Sequence, residues 1–444
     1  MGSKTPPSDA LAGWLAAQRW FATKTRRITG VVVADRIALG GGTLDVVAVT
    51  LDDGAVDRYV VARLPGGAAV VDAFDDAPFC RATLRLVADG ATLAGERGML
   101  AGRPTRAFPV GLAADVAVRR LTGEQSNTSI VFGRALIGKY FRRLSEGVSA
   151  DAEITRFLTE HTTFRHTPRL AGVLDYRPGD DAGTTLAIVQ EFVEDGCDGW
   201  QWLLARLAAG DAALPALRRL GERTAQLHQA LATPTGDPAF DAEPISGSEI
   251  AEWARQVHAQ LDAARAAAPG RPLPDLPDVR PALAGLLSRA KIRHHGDFHL
   301  GQTLVTGGGA DVMIIDFEGE PLRPLAERRR KHTPLRDVAG MLRSLGYAAA
   351  TVGRAGDGRA VAEWEPAARA AFVEGYRAAA GDAPFLPRGA EAFAAAVAVF
   401  EVEKAAYEVV YEANNRPDWI EIPLGGLVRA SASLRPPQAP AGAA

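Results

Sequence analysis

The apolar periodicity of this chain changes along its length, and the change restricts the folds open to it. Between Ile28 and about Leu64, apolar and β-branched residues alternate in three runs, ITGVVVADRIALG, TLDVVAVTLDDG and DRYVVARL. A period of two marks half-buried strands. Asp52-Asp53-Gly54 is a hairpin-type turn signal. Residues 10–23, with Trp14 and Trp20, read as an amphipathic helix ahead of this meander, and residues 73–90 return to a helical pattern. AFPVGLAA, VAVRRLTGEQSNTSIVFG, RALIGKYFRRL and the run from Leu186 to Val193 read as further strands, with turns at Gly123 and Gly133-Arg134 and a helix from near Asp151. From about Trp200 the pattern is helical, interrupted by one hairpin, TLVT-GGGA-DVMIID. The expected class is α+β, with an N-terminal subdomain (1–88), a β-rich intermediate subdomain (89–199) and a mainly helical C-lobe (200–444). Segment 232–247 reads as a loop, and 432–444, rich in Pro, Ala and Ser, as a frayed end.

A chain of 444 residues exceeds one ordinary core and fits two or three packed units. Its 47% hydrophobic and 23% charged residues are an ordinary globular balance. A net charge of -3 gives no basic field for nucleic acid or an anionic membrane. No apolar run reaches the roughly 18 residues of a membrane span. The first nine residues lack a signal-peptide core, and Pro6 spoils a myristoylation motif. The two cysteines, Cys80 and Cys197, form neither a disulfide framework nor a paired-cysteine zinc pattern. A cytoplasmic protein is expected.

The most specific chemistry lies at His294-His295-Gly296-Asp297-Phe298-His299-Leu300-Gly301-Gln302, followed after the hairpin by Asp316-Phe317-Glu318. Phosphoryl transfer from ATP needs a carboxylate at the acceptor hydroxyl and hard oxygen ligands for Mg²⁺. Asp297 is the expected base. Gln302 stands at the spacing kinases use for an amide metal ligand, and the hairpin returns Asp316 beside it. His295 and His299 are either metal ligands or braces of the loop; the oxygen donors already present favour bracing.

Three weaker signals accompany it. Lys139 sits among apolar residues in ALIGKYF, where an ammonium needs an anion. Glu153, in the next helix, is the expected partner in a phosphate-positioning pair; Asp151 is its rival, or a helix cap. The turn Gly123–Ser129, with Ser126, Asn127 and Thr128, offers backbone N–H groups to phosphates. Gln190 and Phe192 lie where an adenine would meet backbone between apolar walls. Near the C-terminus, Lys404, Glu408, Tyr411 and Glu412 recur at helical spacing, followed by Arg416 and Trp419. Such a face either binds a sugar through charged groups and rings or is a solvated face with pairs such as Lys404–Glu408.

At these residues the chain resembles the maltokinase family, bacterial relatives of the aminoglycoside phosphotransferases and protein kinases. The resemblance rests on QRWFATK, EQSNTSIVFG, the FRR after Lys139, FVEDGCDGW, HGDFHLGQ, DFEGEPLRPLAERR, TPLRDVAGML and YEVVYEANNRPDWIEIPL, in order along nearly the whole chain. It implies a bilobal protein-kinase-like fold with an N-terminal cap. It also implies transfer of phosphate from Mg-ATP to the anomeric hydroxyl of maltose, giving maltose 1-phosphate for α-glucan and glycogen synthesis. Trehalose- or maltose-pathway enzymes would be its partners. The roles carried over are Asp297 as base, Gln302 and Asp316 as Mg²⁺ ligands, and Lys139 with Glu153 at the phosphates. His295, His299, Glu318, Lys404, Glu408, Tyr411, Glu412, Arg416 and Trp419 are expected around the sugar, and Arg336 and Asp337 as braces. Two departures stand out: Gly138 before the lysine and Phe298 in place of a leucine. A kinase of another sugar or an aminosugar such as glucosamine, a transition-metal hydrolase and an inactive kinase fold are the competing readings.

Overall fold

The structure is a computed structural model that describes residues 8–434 apart from 22–25, 67–69, 123–125, 180–182, 321–322 and 356–357. The expected turn at Gly123-Glu124-Gln125 and most of the expected frayed end lie outside the described residues. The chain divides into two compact units, Met1–Glu160 with Pro168–Glu194, and His161–Thr167 with Asp195–Ala444.

The first unit opens with helix α1 (Ser8–Ala17), followed by the antiparallel meander β1 (Ile28–Leu39), β2 (Gly42–Leu51) and β3 (Val56–Arg63). Leu11 and Leu15 of α1, with Trp20 and Phe21, pack on Val47, Val49, Tyr59 and Val61. The expected helix over 10–23 ends at Ala17; Trp20 and Phe21 follow on turns and are buried all the same. Helix α2 (Ala77–Ala88), capped by Asp76, leads to β4 (Thr92–Ala94), β5 (Gly98–Pro104), β6 (Val118–Arg120), β7 (Asn127–Phe132), β8 (Leu136–Phe141), helix α3 (Ala150–His161), β9 (Leu170–Pro178) and β10 (Thr184–Glu191). These strands form one antiparallel sheet, ordered β4-β5-β9-β10-β8-β7-β6. AFPVGLAA, expected as a strand, is a run of turns: Pro109 lacks a ladder donor and Gly111 takes φ +78°. β5 and β9 were not expected, because their glycines interrupt the alternation.

One core runs from Ile37, Leu44 and Phe79 to Leu100, Ile130 and Leu186, so the expected boundary at residue 88 falls within packed structure. Two polar devices pin it. A bulge in β1 turns Asp35 inward, where it accepts from Tyr176 O–H at 2.8 Å and Arg97 N–H at 2.9 Å. The fully buried Arg142 donates to Asp72 at 2.5 Å and to Thr128 Oγ1 at 2.8 Å, beneath the rings of Trp20 and Phe74.

In the second unit, β11 (Cys197–Asp198) pairs with β14 (Thr303–Thr306), which pairs in turn with β15 (Asp311–Ile314). A two-stranded ladder joins β12 (Glu243–Pro244) to β13 (Ala290–Lys291). The helices are α4 (Gly199–Ala208), α5 (Leu214–Leu231), α6 (Gly247–Ala267), α7 (Arg280–Leu283), α8 (Leu325–Arg328), α9 (Leu335–Ala355), α10 (Gly358–Ala380), α11 (Ala390–Asn415) and α12 (Glu421–Ala432). α11 is the central one: it packs on α6, α9 and α12 and is buried along Phe393, Val397, Phe400, Val402 and Val409. The expected hairpin is present, with the register Thr303↔Ile314.

Arg142→Met leaves Asp72 buried with Arg120, 3.3 Å away, as its one cation among the described residues. Removing one partner of a buried pair costs about 3–5 kcal/mol, and the surviving arginine places this variant near the lower figure. Denaturant unfolding of the variant against the parent measures it.

Candidate active site

The segment expected to form the catalytic loop is held by one carboxylate. Asp337, buried in the first turn of α9, accepts from His295 N–H (2.8 Å, Oδ2), Gly296 N–H (2.9 Å, Oδ1) and His228 Nε2 (3.0 Å). The Tyr376 hydroxyl lies 3.0 Å from the other His228 nitrogen. Burial alone would raise the Asp337 carboxyl, but His294, His228 and His295 around it hold it far below the usual range. α9 approaches this loop closely because residue 340 is glycine: a Cβ there would lie 2.6 Å from Phe298 O.

His295 is buried and uses both ring nitrogens inside the protein. Its Nε2–H donates to Ile315 O (2.9 Å) and its Nδ1 accepts from Asp297 N–H (3.4 Å). It ties the loop to the strand leading into Asp316. That corrects its expected place at the sugar in favour of bracing, since no polar atom is left to offer. His299 Nδ1 accepts from Gly301 N–H (3.1 Å), and burial lowers its pKa, which keeps it neutral. Phe298 is buried against the His295 ring, 5.1 Å between centroids, and serves as packing where a leucine was expected.

Gln302 and Asp316 meet at the open end of the hairpin. Ile315 N–H donates to Gln302 O at 3.0 Å, which sets Asp316 one residue beyond that rung. Asp316 has φ +68°, a left-handed conformation costing a non-glycine residue about 1–2 kcal/mol. Asp316 and Glu318 each bring a carboxylate oxygen within 4.8 Å of the other's. A side-chain amide and two carboxylates are the oxygen donors a hard divalent cation takes.

The structure brings to Asp297 a residue that had been expected only on the sugar face. Lys404 Nζ, from α11, lies 3.0 Å from Asp297 Oδ1 and 2.7 Å from Glu320 Oε1. Glu320 also pairs with Arg323, Arg323 with Glu403 (3.3 Å), and Glu403 with Arg336 (3.0 Å). Burial opposes the charge on Glu320, yet Lys404, Arg336 and Arg323 pull its pKa down to about 2. Burial likewise opposes the charge on Lys404, but Asp297 and Glu320 hold its pKa well above the usual lysine value. These groups border a recess of about 360 Å³, counting its mouth, with Phe298, Phe400 and Tyr407 among its walls. The Tyr407 hydroxyl is pushed up to about 12, by burial first and then by the charge of Glu320. Glu320 and Glu403 escaped the sequence reading. Glu320 had only its place in DFEGEP to mark it, and Glu403 only its place beside Lys404.

The remaining α11 residues form a separate network. Glu408 accepts from Arg343 (3.0 Å), and Glu412 accepts from Tyr347 O–H (3.1 Å) and from Arg416 (2.7 and 2.9 Å). Tyr411 is exposed, and the guanidiniums of Arg416 and Arg354 each lie 5.1 Å from the Trp419 ring. The Lys404–Glu408 pairing of a solvated helix face is replaced by these contacts.

Within the first unit, Lys139 stands mid-strand in β8, opposite Ser129 and Ile188. Its Nζ is 3.5 Å from Asp151 Oδ2, the rival partner, and Glu153 lies two residues further along α3. Gly138 has a steric reason: a Cβ there would lie 2.9 Å from the Tyr140 ring. Ser126 is exposed, and Asn127 begins β7. The Thr128 hydroxyl is buried against Arg142, so it is the backbone of this residue that the expected phosphate contact concerns. Gln190 lies in β10, and Phe192 N–H bonds Ala135 O at 2.8 Å beyond it.

A loop carboxylate ahead of a hairpin that ends in an amide and an acid, together with a strand lysine paired to a helix carboxylate, is the equipment of kinase-like phosphotransferases. The comparisons agree. Residues 14–76 match the Maltokinase N-terminal cap domain, and residues 117–393 match the Phosphotransferase enzyme family. A glucosamine kinase of Mycolicibacterium smegmatis is 31% identical over 321 residues, covering 70% of this chain and 78% of that protein. Another, from Streptacidiphilus jiangxiensis, is 31% identical over 290 residues, covering 60% of this chain and 63% of that protein, less than two thirds of its length. A solved glucosamine kinase in complex with glucosamine, ADP and inorganic phosphate superposes with a TM-score of 0.66 at 25% identity, over 96% of this chain and 99% of that one. The chain belongs to the phosphotransferase enzyme family, with a protein-kinase-like fold carrying a maltokinase-type cap. No helix among the described residues is long and apolar enough to cross a membrane.

His294 is fully buried, and burial first of all lowers its pKa to about 4; His332, stacked on Trp253, lies well below the usual value for the same reason. A histidine with a depressed folded pKa adds stability that is complete above about 6.5 and is lost as pH falls through about 4. For His294 the shift amounts to on the order of 3 kcal/mol. Its Nδ1 has no hydrogen-bond partner among the described residues, so an apolar replacement forfeits no bond there. His294→Leu will flatten the fall in unfolding free energy between pH 6.5 and 4, read by urea melts across that range.

Proposed function

We propose that this protein is an ATP-dependent kinase of a neutral sugar, and that the sugar is maltose, phosphorylated on its anomeric hydroxyl to maltose 1-phosphate for α-glucan synthesis. The observation that carries the reading is the recess of the second unit, where Asp297 shares one space with charged hydrogen-bonding groups and the Tyr407 ring. Carboxylates and an ammonium take hydroxyls, while aromatic rings cover the C–H face of a sugar. The maltokinase-type cap over 14–76 and the segment YEVVYEANNRPDWIEIPL favour maltose.

In this reading the acceptor O–H donates to Asp297. The acceptor oxygen attacks the terminal phosphorus of ATP, the bond to the ADP oxygen breaks, and the proton passes to Asp297 and on to solvent. Gln302 and Asp316, with Glu318 near, would hold Mg²⁺, which when bound neutralises phosphate charge. Lys139, its ammonium fixed by Asp151 or Glu153, would steady the α- and β-phosphates, the amides at Ser126 and Asn127 would cover them, and the Gln190–Phe192 backbone would take the adenine amino group on a carbonyl oxygen, since Phe192 N–H is already bonded to Ala135 O.

An aminosugar is the second reading, favoured by the relatives called glucosamine kinases. It needs a carboxylate free to meet an ammonium. Glu408 and Glu412, the natural candidates on α11, already accept from Arg343, Tyr347 and Arg416.

Purified protein with ATP and a panel of maltose, glucose and glucosamine will phosphorylate maltose best; absence of maltose turnover removes the assignment. Asp297→Asn will lower kcat by about 10²–10⁴-fold while the variant stays folded, its melting temperature somewhat lower because Lys404 loses one of its two carboxylate partners. Near-normal kcat in that variant would show that Asp297 is not the base.

A further inference from the structure

We infer that Lys404 is an internal ammonium that fills the position a substrate amino group would take beside Asp297, so that it both orients the base and turns away cationic acceptors. The inference rests on the neutral-sugar reading above and assigns its selectivity to one residue.

The argument starts from the charges that border the recess. Four carboxylates line it, Asp297, Glu320, Asp337 and Glu403, and each has a partner in the protein. Asp337 is occupied by two backbone N–H groups and His228, and Glu403 by Arg323 and Arg336. Asp297 and Glu320 are joined by Lys404, whose Nζ stands at hydrogen-bonding distance from both, 3.0 and 2.7 Å. A primary ammonium held between two carboxylates, with an aromatic ring at 4.9 Å, is how a site would hold a protonated amine. Here the amine is supplied by α11. A substrate ammonium entering beside Asp297 would meet a fixed positive charge in a desolvated setting, where like charges repel most strongly. A hydroxyl in the same place meets only donors and acceptors.

The same bridge bears on the base. The Asp297 side chain is tied by Oδ1 to Lys404, which leaves Oδ2 for an acceptor hydroxyl. Lys404 is anchored in turn by Glu320, itself held by Arg323. The orientation of the base is therefore set from α11 and from the segment after Asp316, and not from the catalytic loop alone. Lys404 acts on the chemistry through Asp297 and is a positioning residue in that sense.

Glucose and glucosamine differ at one ring position, hydroxyl against ammonium, and so separate charge from size. The parent protein will show a kcat/KM for glucose well above that for glucosamine. In Lys404→Ala, which removes the ammonium together with its stem and leaves room for a small amine, the glucose-to-glucosamine ratio of kcat/KM will fall by roughly tenfold or more. Maltose turnover will fall with it, mainly in kcat, and will be partly restored by added ethylammonium but not by equal concentrations of tetramethylammonium, which cannot donate. Ethylammonium will also raise the melting temperature of the variant and not of the parent, a readout independent of catalysis. Lys404→Gln, which keeps a donor between the two carboxylates, repeats the measurement of the ratio should the alanine variant fold poorly. A folded variant with an unchanged ratio and no response to ethylammonium overturns the role given to Lys404 while leaving the neutral-sugar reading in place. A parent protein that prefers glucosamine overturns the neutral-sugar reading itself, and the inference with it.

Discussion

The grip of Asp337 on the backbone N–H groups of residues 295 and 296 is the contact on which the geometry of the second unit depends. A carboxylate that accepts from two amides and a histidine in a dry setting is among the stronger arrangements a protein can build. It fixes the loop at its glycine, Gly296, which takes φ +83°. From that point the chain runs directly to Asp297. His295 then relays the position to Ile315, one residue before Asp316. The proposed base and the proposed metal ligand thus share one scaffold, and both are referred to the start of α9.

α11 contributes the second constraint. It lies in the middle of the helical unit, and its buried length carries Glu401, Glu403 and Glu412 among apolar residues. Each of these acids is matched by an arginine, from α10 (Arg369), from α9 (Arg336) or from its own C-terminal end (Arg416). Unmatched, each would carry a desolvation cost that marginal stability could not absorb. The pairing also fixes the rotation of α11 about its axis, which decides that Lys404 and not a neighbour points to Asp297. The first unit follows a similar logic on a smaller scale, with Arg142 and Asp35 as its buried polar pins.

The outline of this arrangement was legible in the sequence because it depends on local rules. Alternation located β1 to β3, β7, β8 and β10, and the triple glycine at 307–309 located the hairpin between Gln302 and Asp316. β5 and β9 did not declare themselves, since their glycines leave gaps in the pattern that only close packing explains. AFPVGLAA misled for the opposite reason: its apolar content suggested a strand, while Pro109 and Gly111 made turns. Thr128 looked like a phosphate contact in a polar turn, and only the fold shows its hydroxyl turned to Arg142.

By itself the sequence determined the chemical inventory and its order: a loop acid, an amide, a second acid after one hairpin, a strand lysine and a charged C-terminal helix. Those are properties of spacing, and spacing survives any change in packing. Tertiary structure alone decided the pairings. Lys404 reaches across more than a hundred residues of chain to Asp297, and Arg336 and Arg343 find their acids only when α9 and α11 pack together. Charge partners separated in sequence are chosen by which faces two helices bury against each other, and that choice belongs to the packing of the whole unit.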